Sequence, residues 1–182
     1  MIRPWSSLPA IACLLLLSAS FASAQQQVPP APVPTALSTA RSIFISNGGA
    51  DSGLFPEPFT GDSSRGYNQL FAALKSAGQF QLVSDPGNAD LVLEIGLVAP
   101  YFATFGMNNT NKQNGAKDPL PMFKLTVYDA KSHFVLWTMT SSVGFAFLQK
   151  THDRNFDMAL NDVVSQFLSV AGKPPLQTPP TP

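Results

Sequence analysis

Two proline-rich runs decide how much of this chain can fold. Val28-Pro29-Pro30-Ala31-Pro32-Val33-Pro34 lies near the front, and Lys173-Pro174-Pro175 followed by Pro179-Pro180-Thr181-Pro182 closes the chain. Proline fixes φ and has no backbone N–H, so such runs favour extended polyproline conformation and cannot join a sheet interior. They read as a linker over residues 25–40 and a tail over 173–182. The stretch between them, 41–172, is about 130 residues, enough for one hydrophobic core and too little for two comfortable domains.

Residues 1–24 read as a signal peptide. Arg3 supplies a charged start, the apolar stretch 8–21 contains Leu14, Leu15, Leu16 and Leu17, and Ala22-Ser23-Ala24 is a small-x-small cleavage site. The stretch contains Pro9 and falls short of the roughly twenty residues a membrane-crossing helix needs. The expectation is an exported protein, periplasmic or secreted after cleavage near Ala24, with no transmembrane segment in the mature chain. Cys13, the one cysteine, raises lipidation as a rival reading, but it lies inside the apolar stretch rather than at its end. A mature chain starting at Gln25 has no cysteine, which excludes disulfides, thiolate metal sites and cysteine nucleophiles. Eleven basic residues face eleven acidic ones with no block of like charge, so neither nucleic acid nor an anionic membrane surface is indicated as a partner.

Within 41–172 the periodicities are legible. A β-branched and aromatic strand is predicted at 42–46, stopped by Asn47-Gly48-Gly49. A helix follows over 64–77, with Tyr67, Leu70, Phe71, Leu74 and Ala77 on one face and Gly78 as its cap. A short strand at 80–83 ends in the turn chemistry of Asp85-Pro86-Gly87-Asn88. The strand at 90–98 alternates, Leu91, Leu93, Ile95 and Leu97 against Val92, Glu94, Gly96 and Val98, as for a sheet with one face in the core. Segments 122–128 and 134–143 read as a hairpin. Its register is open by one residue: Tyr128 opposite His133 puts Trp137 on the face of Lys124, Thr126 and Tyr128, whereas Tyr128 opposite Phe134 sends it into the core with Leu125 and Val127. The closing helix carries a stripe of Phe156, Leu160, Val163, Val164, Phe167, Leu168 and Ala171, with Asp153 and Asp157 near its positive end and Gly172 and Pro174 stopping it. The order of elements predicts an α+β two-layer sandwich, a mixed sheet of about five strands with two helices packed on one face.

Three segments carry a resemblance: Gly78-Gln79-Phe80-Gln81-Leu82-Val83-Ser84-Asp85-Pro86, Ala89-Asp90-Leu91-Val92-Leu93, and Tyr128-Asp129-Ala130-Lys131-Ser132 followed by Val135-Leu136-Trp137. In these the chain resembles uncharacterised exported bacterial envelope proteins whose α/β module is similar to the amino-terminal domain of TolB, to lipoproteins that activate penicillin-binding proteins and to those that build the curli pore. The resemblance implies an adaptor or assembly part rather than an enzyme.

Chemistry is sparse. The loop 47–65 carries Asp51, Glu57 and Asp62, and three carboxylates could contribute to a calcium site, which needs six to eight oxygens, but their spacing fits no calcium loop. A small-ligand or metal-binding protein using this loop is one alternative. His133, in the hairpin turn where positive φ would favour glycine or asparagine, and His152 are the only imidazoles. Ser52, Ser63 and Ser64 are available hydroxyls, but no G-x-S-x-G elbow exists, so a hydrolase is the other alternative, without a motif. No catalytic, cofactor-binding or metal-ligating residue is assigned, and no cofactor is expected. The leading expectation is a non-catalytic interaction module of the bacterial cell envelope whose partner is another envelope protein. Its candidate surface combines Tyr101, Phe102, Phe105 and Met107, from the apolar half of 100–121, with Lys124, Tyr128 and Trp137 of the open sheet face.

Overall fold

In a computed structural model of the chain, which describes residues 31–99 and 120–176, the β-branched run after Arg41 becomes β1, Ser42–Ala50. It continues past Ser46, where the sequence pattern predicts a stop. Asn47-Gly48-Gly49 forms a bulge instead, at which pairing with the neighbouring strand shifts by one residue. A Cβ on Gly48 would stand 2.9 Å from the carbonyl oxygen of Ile95, and Gly49 has φ +72°. The glycines thus let the strand bulge and resume rather than end.

β2, Gln81–Leu82, β3, Leu91–Val98, β4, Met122–Asp129, and β5, Val135–Ser142, complete the sheet. Its order is β2-β1-β3-β4-β5, parallel at β1/β2 and β1/β3 and antiparallel at β3/β4 and β4/β5. A parallel pair has no hairpin to set its register. Here Asp90 sets it, its carboxylate accepting from the N–H of Arg41 at 2.9 Å and from the N–H and hydroxyl of Ser42 at 3.0 Å. Those backbone bonds hold the Asp90 carboxyl below its ordinary range.

α1, Thr35–Thr39, α2, Arg65–Ala77, and α3, Gln149–Val170, supply the helices. The alternating leucines of β3 are buried in a core with Leu70 and Leu74 of α2 and with the predicted α3 stripe, all of it buried. The architecture is the α+β sandwich with a five-stranded mixed sheet that the periodicities predict. Phe71 departs from its expected place: it is 38% exposed, with the Lys75 ammonium 5.9 Å from its ring. α1 lies in the predicted linker, yet Leu37 is fully buried and Ala40 just beyond the helix nearly so. Gly78 and Gly172 terminate α2 and α3 at φ +62° and +65°.

The β4/β5 hairpin adopts neither register weighed from the sequence. Tyr128 pairs with Val135 and Val127 with Trp137, leaving Leu136 as the bulged residue. The cause lies in the turn, where the Asp129 carboxylate accepts from the N–H groups of Lys131 and Ser132 and from the Ser132 hydroxyl. His133 takes φ +61° there, and the Asp129 N–H closes the turn on the Phe134 carbonyl at 3.0 Å. Trp137 therefore lies on the helix side of the sheet with Val127, against the core.

Candidate functional site

The loop after β1 is fastened to the start of α3. Leu54 and Phe59 are buried anchors, and Phe59 packs on Phe156 with centroids 5.3 Å apart. Arg65, its side chain only 15% exposed, donates to Asp153 and to Asp157, and also to the Thr60 carbonyl at 3.1 Å. Its guanidinium lies 4.2 Å from the centre of the Phe156 ring. Gln69 adds a bond to Asp157. Burial works against charge on Asp153 but is outweighed by hydrogen bonds from Arg65, Thr60 and Gln149, which hold its carboxyl at about 2. Asp153 and Asp157, read from the sequence as partners of the helix dipole, are thus partners of Arg65.

Two of the loop's three carboxylates are spent on structure, and the third, Glu57, is exposed. Asp51 accepts from the Ala99 N–H at 2.8 Å, and Asp62 accepts from the N–H and hydroxyl of Ser64. Among the described residues no group of three or more histidine, cysteine or carboxylate side chains is placed to hold a metal ion. The cavity beside the loop, lined by Gly49, Phe55, Tyr67 and Phe123, measures about 10 Å³, room for about one water. His152 stands edge-on between the rings of Phe59 and Phe145, and His133 is in the hairpin turn.

Of the predicted interaction residues that are described, Trp137 lies on a different side of the sheet from Lys124 and Tyr128. Tyr101, Phe102, Phe105 and Met107 lie outside the described residues. Lys124 and Tyr128 share the face turned away from the helices, joined there by Glu94, to which the Tyr128 hydroxyl donates at 3.2 Å. Burial, and then the Glu94 carboxylate, push the Tyr128 phenol above its ordinary value. Trp137 is on the opposite side, in a groove between β5 and α3.

Among the described residues, the most exposed apolar cluster is one that sequence reading missed. In the connection 143–148, Val143 and Ala146 are buried while Phe145 is 67%, Phe147 93% and Leu148 70% exposed. The segment is tied down at both levels: the Val143 N–H donates to the Pro121 carbonyl at 2.7 Å, and Asn155 donates to the Gly144 carbonyl at 2.9 Å. The Phe145 and Phe147 rings meet edge to face, 5.0 Å apart. Backbone and small residues anchor the segment and two aromatics stand outward. A usable signal was present: three large apolar residues within a strand-to-helix connection, where turn-forming residues are the rule.

No protein-family profile matches the sequence, and neither does any curated protein. Solved structures similar in fold include three bacterial proteins. A DUF4136 family protein from Bacteroides thetaiotaomicron is 17% identical at a TM-score of 0.48, covering 75% of this chain and 92% of its own. A PelC dodecamer from Paraburkholderia phytofirmans is 13% identical at 0.41, covering 72% and 88%. A DUF330 protein from Xanthomonas campestris is 12% identical at 0.45, covering 74% and 84%. At these identities and scores the likenesses carry neither activity nor partner across to this chain. None of the comparisons supports a relationship to TolB. Among the described residues no helix is long and apolar enough to cross a membrane.

Proposed function

We propose that this chain is a non-catalytic adaptor of the bacterial cell envelope, exported by its N-terminal signal and binding another envelope protein through Phe145, Phe147 and Leu148. The observation that carries the reading is their display. Large apolar side chains on a soluble surface cost free energy unless something covers them, and here two rings are held outward by a segment fixed beneath. Aromatic anchors of this kind, inserted in a partner's pocket, commonly dominate binding energy. In the loop 47–65 Asp51 and Asp62 are already bonded within the fold, Glu57 is exposed, and the cavity beside it holds about one water, which gives the ligand-binding alternative little to work with.

Photo-crosslinking in the native envelope tests the reading, with benzoylphenylalanine replacing Phe147 in the full chain. One envelope protein should be captured reproducibly, and capture from a second photo-probe at Leu148 should disappear in the F145S/F147S double variant while its thermal midpoint stays close to that of the parent. Absence of a reproducible product at either probe overturns the proposal.

A further inference from the structure

β5 is the last strand of the sheet, and among the described residues nothing pairs with its outer edge. Sheet edges left open usually carry lysine, proline or short length as protection against strand pairing. β5 bulges at Leu136, but its eight residues, Val135-Leu136-Trp137-Thr138-Met139-Thr140-Ser141-Ser142, include no charge and no proline, and the edge runs on from the bulge through Ser142. The Thr140 carbonyl points outward, where the Gln166 side-chain amide reaches it at 3.4 Å. Since backbone polarity alternates along an antiparallel strand, Thr138 and Ser142 present their N–H and C=O groups in the same direction. Thr138, Thr140 and Ser142 are all exposed.

Beside this edge runs the groove between β5 and α3, about 530 Å³ in volume. Trp137, Met139 and Val170 give it an apolar side, Gln166 and Ser169 a polar one, and Asp162 is the one charged residue in its lining. Among the described residues, Asp162 receives one hydrogen bond, from Gln166 at 2.9 Å. An open strand edge beside a helix wall is the geometry by which a sheet accepts an extended peptide as an added strand. Main-chain bonds then supply affinity, and alternate side chains enter the groove.

We infer that the β5 edge and the β5/α3 groove form a binding site for an extended peptide segment of a partner protein, pairing with Thr138, Thr140 and Ser142 and placing a lysine or arginine against Asp162. A second copy of this chain fits less well. Two β5 strands joined about a two-fold axis would bring α3 alongside its counterpart with the Asp162 carboxylates on the shared groove and no cation in the lining to separate them. The site is distinct from the Phe145–Phe147 display, so its failure leaves the adaptor reading standing, and the converse also holds.

The test is selection of linear random heptapeptides on the full mature chain, followed by fluorescence polarisation with the enriched sequences. Winners should be rich in β-branched residues with one basic position. N-methylation of alternate peptide amides should weaken binding tenfold or more, while methylation of the intervening amides leaves it intact. D162K should reduce affinity for the basic peptides about tenfold. Amide exchange should slow at Thr138, Thr140 and Ser142 on binding. Failure to enrich any peptide, binding indifferent to N-methylation, or protection confined to residues outside β5 overturns the site. Concentration-dependent dimerisation that protects β5 without peptide overturns the choice of occupant.

Discussion

Arg65 reaches two carboxylates of α3 from the first residue of α2, and one of them, Asp153, shows what the contact contributes. Its folded pKa of about 2 lies below the ordinary 3.8, so the ionised form is favoured by folding. That stabilisation is fully present above about pH 4 and is lost as pH falls through about 2. Asp153→Asn should therefore lower stability by about 2 kcal/mol at neutral pH, and its urea midpoint should converge on that of the parent as pH approaches 2. Parallel pH profiles for the two proteins would mean that the carboxylate is not held by the Arg65 cluster. Local spacing showed only that Asp153 and Asp157 sit at a helix start. Their partner is 88 residues from Asp153 and 92 from Asp157 in sequence, and no periodicity reports a pairing at that distance. His133 is the reverse case, because its place in a turn gave the condition for positive φ, and the backbone meets it.

At the scale of elements, the bulge in β1 is fixed by two neighbouring glycines for different reasons. Gly48 is confined by the Ile95 carbonyl, whereas Gly49 has open space around its missing Cβ but a left-handed backbone. Gly49→Ala should cost about 1–2 kcal/mol through conformation alone. Gly48→Ala should cost more, because the displaced atom is backbone in the middle of the sheet and has no rotamer to retreat into. Urea denaturation of both variants checks the order, and the reverse order would show that close approach does not shape the bulge. Period-two alternation made β3 legible, and the stripe of α3 identified its buried face, because each pattern answers directly to burial. The β5 register was not legible, since the carboxylate of Asp129 chooses the turn and the turn displaces the strand by a residue. Asn47-Gly48-Gly49 looked like a terminator because those residues serve both to end strands and to bulge them. Phe145, Phe147 and Leu148 fall between the predicted strand at 134–143 and the stripe that begins at Phe156, so neither periodicity covers them.

For the molecule as a whole, the domain begins earlier than its sequence boundary suggests. A chain starting at Arg41 lacks Leu37, which is fully buried, and should unfold about 2–5 kcal/mol more easily than one starting at Val33. Coincident urea midpoints for the two truncations would place α1 outside the cooperative core. The parallel pairing of β1 also bears on how the molecule comes into being. Its register is written by Asp90, 48 residues further along the chain, and contacts so far apart in sequence form late because a long loop must close first. The β4/β5 hairpin can assemble as soon as its turn exists, whereas β1, the strand between β2 and β3, must wait for its neighbours. Until then Ile43 and Ile45, both buried once the sheet is complete, have no partner strand to cover them.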